Sequence, residues 1–141
     1  MAMASRLGRG AARVALGYLF IDAGRTVLSH PEGPAVPAAR VTDRIKEVVP
    51  ALESVPATTF VRLNAVTHLV GGVALLIPPL TAPAALVLAA SLVPTSIAGF
   101  PFWTMDGPQR MHAKNDFTKN VGLMAGLVAI AATTQRRQER V

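Results

Sequence analysis

Four long apolar runs separated by polar stretches organise the chain. The first spans about 7–28 around the centre VALGYLFI. His30-Pro31 and Gly33-Pro34 stop it, because proline cannot continue a helix. The second covers about 59–77 and ends at Pro78-Pro79. The third covers about 82–100, with Thr81 as its expected N-cap and Pro83 in its first turn. Pro94 lies inside it and is expected to kink it, which membrane helices tolerate. The fourth covers about 113–134, after a polar turn TMDGPQRMH. From Leu63 to Met105 there is no Asp, Glu, Lys or Arg, and His68 is the one titratable group. That stretch accommodates two membrane spans of about 20 residues each. The pattern predicts an all-α integral membrane protein: one domain, a four-helix up-down bundle, with both ends on the same side.

The longest polar connection, 29–58, holds Pro31, Pro34, Pro37, Pro50 and Pro56. Inside it, VTDRIKEVVPAL places Val41, Ile45, Val48 and Val49 at helical spacing. Two readings stand: a short amphipathic helix at the membrane interface between helices 1 and 2, or an irregular loop.

Composition agrees with lipid as the solvent. Hydrophobic residues make up 51% and charged residues 16%, with a mean hydropathy of +0.41; a soluble domain carries about a quarter charged residues. The formal net charge is +6, which in a soluble protein would suggest nucleic acid. Here the basic residues flank apolar runs instead of forming an aromatic-laced face, which argues against nucleic-acid binding. Arg6, Arg9 and Arg13 precede the first run, and Arg136, Arg137 and Arg140 follow the last. Such clusters favour the cytoplasmic face of the membrane for both termini. Cysteine is absent, so the chain has no thiolate metal site and no Cys-x-x-Cys redox pair. Arg6–Arg13 followed by Val14–Ile21 has the look of a signal peptide, but Asp22 and Arg25 interrupt it and no small-x-small cleavage site follows closely. A retained first helix is expected.

The polar residues within the spans are the candidate chemistry. Tyr18, Asp22, Arg25 and Ser29 follow a 4-3-4 spacing and share one helix face. Arg62 precedes Asn64 and His68, which are four apart. His112, Asp116 and Asn120 are also four apart, with Lys119 adjacent. Up-down connectivity brings these three helix ends to one level, which predicts a polar cluster in the outer leaflet. Ionisable groups at that depth are costly and tend to be paired or functional. Asp22 with Arg25, Arg62 or Lys119 is a candidate ion pair, and Asn64 and Asn120 can bridge helices. One reading makes the cluster a structural staple. The other makes it a small polar pocket beneath the aromatic rim of Phe100, Phe102 and Trp103, fit for a quinone head group or a small anion. His68 and His112 invite a heme reading, but they lie near helix starts and a satisfied histidine is commoner. No metal site is assigned. Gly17, Gly24, Gly71, Gly72, Gly122 and Gly126 permit close helix approach; the Gly122–Gly126 pair is expected to serve internal packing more than a dimer seam.

The same residues carry a family likeness. RVALGYLFIDAG resembles the first helix of the DoxX family of small four-helix bacterial membrane proteins. HLVGGVALLIPPLTAPAALVLA resembles its second helix, turn and third helix, and HAKNDFTKNVGLMAGLVAI its last, where Lys119-Asn120 opens a glycine-containing apolar run. Asp22 and Arg25 are more charge than that first helix usually carries. The resemblance implies membrane redox biology. One branch of the family is the membrane subunit of a thiosulfate:quinone oxidoreductase. Another works with a superoxide dismutase and a sulfurtransferase in oxidant and thiol stress. The leading expectation is an accessory or anchoring subunit in the lipid bilayer, with a soluble redox protein as partner and a quinone held near Asp22, Arg62, His68 and Lys119. Its rival is a subunit that itself passes electrons from a sulfur compound to quinone; the absence of cysteine counts against that chain acting alone. A small-molecule carrier is the third reading, weakened by the absence of an inverted repeat. A homo-oligomer is left open.

Overall fold

The computed structural model describes residues 2–138, with side chains for residues 7–134. Five helices follow in order: α1 (Ala2–Ser29), α2 (Glu32–Val48), α3 (Ala57–Leu76), α4 (Thr81–Gly99) and α5 (Gly107–Gln138). Short 3-10 turns at Pro50–Leu52, Pro78–Leu80 and Phe102–Thr104 link them. There is no strand among the described residues. The arginines at 6, 136, 137 and 140 that argued for orientation have side chains outside the described residues.

α3, α4 and α5 are long and apolar enough to cross a membrane. A 20-residue helix such as α3 is about 30 Å long, the thickness of the hydrocarbon layer. α1 has the length but is not among the three: Arg9, Arg13, Asp22 and Arg25 lower its apolar content. Three of the four expected spans thus have the length and apolar content to cross a membrane.

α1 lies antiparallel along α3, α3 packs on α4, and α4 on α5. α1 and α5 pack on each other far less closely than either does on its inner neighbour. The layout is a row of four helices bent around a shared core, open on the α1–α5 side. The core holds Phe20, Leu75, Leu88 and Leu127, all fully buried, with alanines at 82, 84, 85, 89 and 131 between them. α4 supplies most of these positions because small residues let three neighbours approach it. Glycine does the same between α1 and α3. A Cβ built on Gly24 would stand 2.7 Å from the Ala65 carbonyl oxygen, and one on Gly17 2.9 Å from that of Gly72. Gly71 receives the Leu88 side chain. Gly122 and Gly126 meet nothing within 4 Å, so the expectation that this pair packs internally is overturned.

Large apolar side chains face outward on all three apolar helices: Leu63, Val66, Val70 and Val73 on α3, Leu86, Val87, Val93 and Ile97 on α4, and Val121 and Val128 on α5. A water-soluble monomer does not expose so much apolar surface.

The connection between α1 and α3 is helical, and longer than the sequence pattern suggested. α2 begins at Glu32, runs through Pro37, and buries Ala35 and Thr42 against α3 and α4. Its charged residues Arg40, Asp43, Arg44 and Glu47 stay exposed. It is a packed helix, and the loop reading is set aside. Thr81 also departs from expectation. It lies within the first turn of α4 and donates its hydroxyl to the Leu75 and Ile77 carbonyls, both at 3.1 Å. It satisfies the end of α3 and does not cap the start of α4. Arg13 acts at the same place: its Nε donates to the Leu75 carbonyl at 2.8 Å, a cation at the negative end of the α3 dipole. α4 continues helically through Pro94. α5 starts at Gly107, six residues before the expected start. The turn into it uses φ +59° at Gly107, which glycine adopts without strain.

Candidate functional site

The helix registers decide which polar side chains meet. Gly17 against Gly72 and Gly24 against Ala65 fix α1 on α3. α4 then offers a row of hydroxyls, Ser91, Thr95 and Ser96, to its neighbours on either side. Ser91 Oγ donates to the Leu88 carbonyl at 2.8 Å, which leaves its lone pair for His68 Nε2 at 3.2 Å. His68 is therefore the tautomer with hydrogen on Nε2. Its ring also meets Phe20 edge-on, with centroids 5.1 Å apart. Thr95 Oγ1 donates to the Ser91 carbonyl at 2.8 Å and accepts from the Asn64 amide at 3.1 Å. Ser96 Oγ donates to the Leu92 carbonyl at 2.6 Å and accepts from the Asn120 amide at 3.0 Å. Each hydroxyl gives its proton to its own helix and its lone pair to the next one. α3, α4 and α5 are thereby tied by a ladder that runs through the centre of the molecule. The spacing of Ser91, Thr95 and Ser96 on one helix could have revealed it, but no charge marked these residues.

Asp116 and Lys119 stand on a different surface. Lys119 Nζ binds Asp116 Oδ1 at 2.8 Å, both side chains reaching solvent or lipid. They line a groove of about 520 Å³ together with Asn120, Gly122 and Leu123 of α5, Leu19 of α1, and Phe100. This groove is the open side of the helix row. Beside it, Phe102, Trp103 and Phe117 form an edge-to-face cluster with centroids 5.2 to 6.0 Å apart. Phe117 belongs to that rim although its place in the sequence did not show it.

The nine candidate residues thus divide three ways. Asn64, His68 and Asn120 point inward to α4; Asn120, with Asp116 and Lys119, also lines the groove. Asp22, Arg25, Arg62 and His112 are exposed and turned away from both. The expected ion pair of Asp22 with Arg25, Arg62 or Lys119 does not form among the described residues; Lys119 pairs within its own helix. His68 is buried and His112 exposed on another helix, so the two imidazoles do not face one site. Sequence spacing put Asn64 with His68 and Asp22 with Arg25 on shared faces, but His112 does not join Asp116 and Asn120. Spacing could not give the direction in which a face points once the helices pack.

A sequence model of the DoxX family matches residues 8–105, more than half of the chain. The chain belongs to the DoxX family. The match takes in α1 to α4, including the connection 29–58. It stops before α5, so the DoxX match covers the hydroxyl ladder of α4 but not the groove wall of Asp116, Lys119 and Asn120. No curated protein and no solved structure matches the chain.

Proposed function

We propose that this DoxX chain is an accessory subunit of a membrane redox system, and that it holds a quinone head group in the groove between α1 and α5. The groove carries the reading. Its volume of about 520 Å³ lies within the range of about 300–1,000 Å³ usual for small-molecule sites. Its walls are mainly apolar, as a lipid-borne ring requires. Lys119 uses one donor on Asp116 and keeps others free. Asn120 spends one amide hydrogen on Ser96 and retains the second, with its carbonyl. These donors suit quinone carbonyl oxygens. The residues named with Lys119 at first, Asp22, Arg62 and His68, are not part of this arrangement.

The same reading takes α1 as a fourth span. It follows α3 closely from Arg13 at Leu75 to Gly24 at Ala65, so if α3 crosses the bilayer α1 lies at the same depth. Four spans place both termini on one side, the cytoplasmic side of a bacterial plasma membrane. Asp116 and Lys119 then lie near the outer surface, with the aromatic rim at the headgroup level.

The test is purification in mild detergent followed by quantitation of bound quinone and co-purifying proteins. Stoichiometric quinone is expected in the native chain, with occupancy reduced more than about tenfold by Lys119→Ala. Ordinary lipids alone, in native and variant protein alike, would overturn the quinone site. A soluble redox protein retained by both would still identify the chain as an anchor.

A further inference from the structure

α1 presents a row of side chains that no other part of the chain covers. Ala11, Ala15, Tyr18, Asp22, Arg25 and Ser29 are all exposed. Their 4-3-4-3-4 spacing is the period of a two-helix seam. Neither Asp22 nor the Arg25 guanidinium has an ion-pair partner among the described residues. The register of α1 on α3 puts Asp22 level with Thr67, midway along Ala57–Leu76. A carboxylate at the middle of a span, facing hydrocarbon alone, is costly and needs a cation opposite it.

We propose that this row is the seam of a homodimer in which Asp22 of each copy pairs with Arg25 of the other. The argument rests on the four-span reading above, which places α1 at bilayer depth. A two-fold axis along the helices sets the same face against itself, so a row holding both an acid and a base is complementary to its own copy. Asp22 and Arg25 are three residues apart, about 4.5 Å along the axis, within reach of an arginine side chain. The axis sets Asp22 level with Asp22 and Arg25 level with Arg25, and each arginine side chain spans the offset to the carboxylate of the other copy. Ala11 and Ala15 let the helices approach closely over the other half of the row. α5 also has the open glycines Gly122 and Gly126 and an acid–base pair on its own row, but Asp116 and Lys119 already pair with each other, so unmet charge selects α1.

The chain contains no cysteine, so a single introduced thiol reports its own neighbourhood. Ala15→Cys and, on the exposed side of α5, Val128→Cys are oxidised in native membranes, with reporters on both termini. The expected result is a disulfide-linked dimer as the main product of Ala15→Cys and little from Val128→Cys. Adding Arg25→Asp to the Ala15→Cys chain lowers the yield more than about tenfold. Co-expressing that chain with one carrying Ala15→Cys and Asp22→Arg restores the yield, because each copy then offers the charge the other lacks. Termini on one face with no preference for Ala15→Cys over Val128→Cys would overturn the seam alone. Termini on opposite faces would overturn the four-span reading and the seam with it.

Discussion

Gly24 stands where α1 and α3 come closest, and a Cβ there would meet the Ala65 carbonyl oxygen at 2.7 Å and the Leu69 backbone nitrogen at 3.0 Å. Both are backbone atoms, so neither can rotate away. Gly24→Ala should therefore push the helices apart and cost about 1–3 kcal/mol. Gly126→Ala, with nothing within 4 Å, should change stability little and serves as the control. Thermal unfolding in detergent compares the two; equal midpoints would contradict the close packing of α1 on α3. The polar residues of the ladder work by a different logic. The hydroxyls of Ser91, Thr95 and Ser96 each satisfy a carbonyl of α4 while accepting from another helix. Bonds of this kind in membrane proteins contribute about 0.6 kcal/mol each, so their value lies in fixing which face of each helix points inward. His68, Asn64 and Asn120 were legible in the sequence as unusual intramembrane polar groups. Their partners were not, because a serine or threonine in an apolar helix is common and satisfies itself.

At the scale of elements, α2 is the piece whose role was hardest to read. Its apolar positions 41, 45, 48 and 49 have helical spacing, yet Val48 and Val49 end up exposed and the residues that anchor it are Ala35 and Thr42. Five prolines in the connection obscured a helix that admits Pro34 in its first turn and Pro37 further along. Ala35→Asp would bury an unpaired charge against α3 and α4 and should detach α2. The measurable consequence is faster tryptic cleavage at Arg40 and Arg44 in detergent, with the remaining helices still protected. Unchanged cleavage would mean that α2 is not held by that contact. α1 illustrates the converse. Its length and apolar centre were plain, but whether it belongs with the spans depends on what faces Asp22 and Arg25, and that is a matter of its neighbours.

For the whole molecule, the outward valines and leucines of α3, α4 and α5 make lipid the only solvent that fits. With α1 as a fourth span, the termini must share a side. A phosphatase that is active only outside the cytoplasm, fused to either end, should stay inactive, whereas a cytoplasmic fluorescent reporter should be active at both. One active phosphatase end would leave three spans and place α1 at the surface. The open α1–α5 side joins the two proposals, since the groove and the seam both exist because α1 does not close against α5.

The sequence by itself determined the four long helices, the membrane as environment and the DoxX likeness, because hydrophobic runs, proline stops and charge-free stretches are local properties. Only the tertiary structure decided which polar residues meet. Asp22, Arg62, His68 and Lys119 stand at neighbouring levels, as connectivity requires, but helix rotation sends His68 to Ser91, Lys119 to the groove and Asp22 and Arg62 outward. That rotation is set by where glycines and alanines let backbones approach, at Gly17, Gly24, Gly72 and along α4, a property of pairs of helices that no single helix carries.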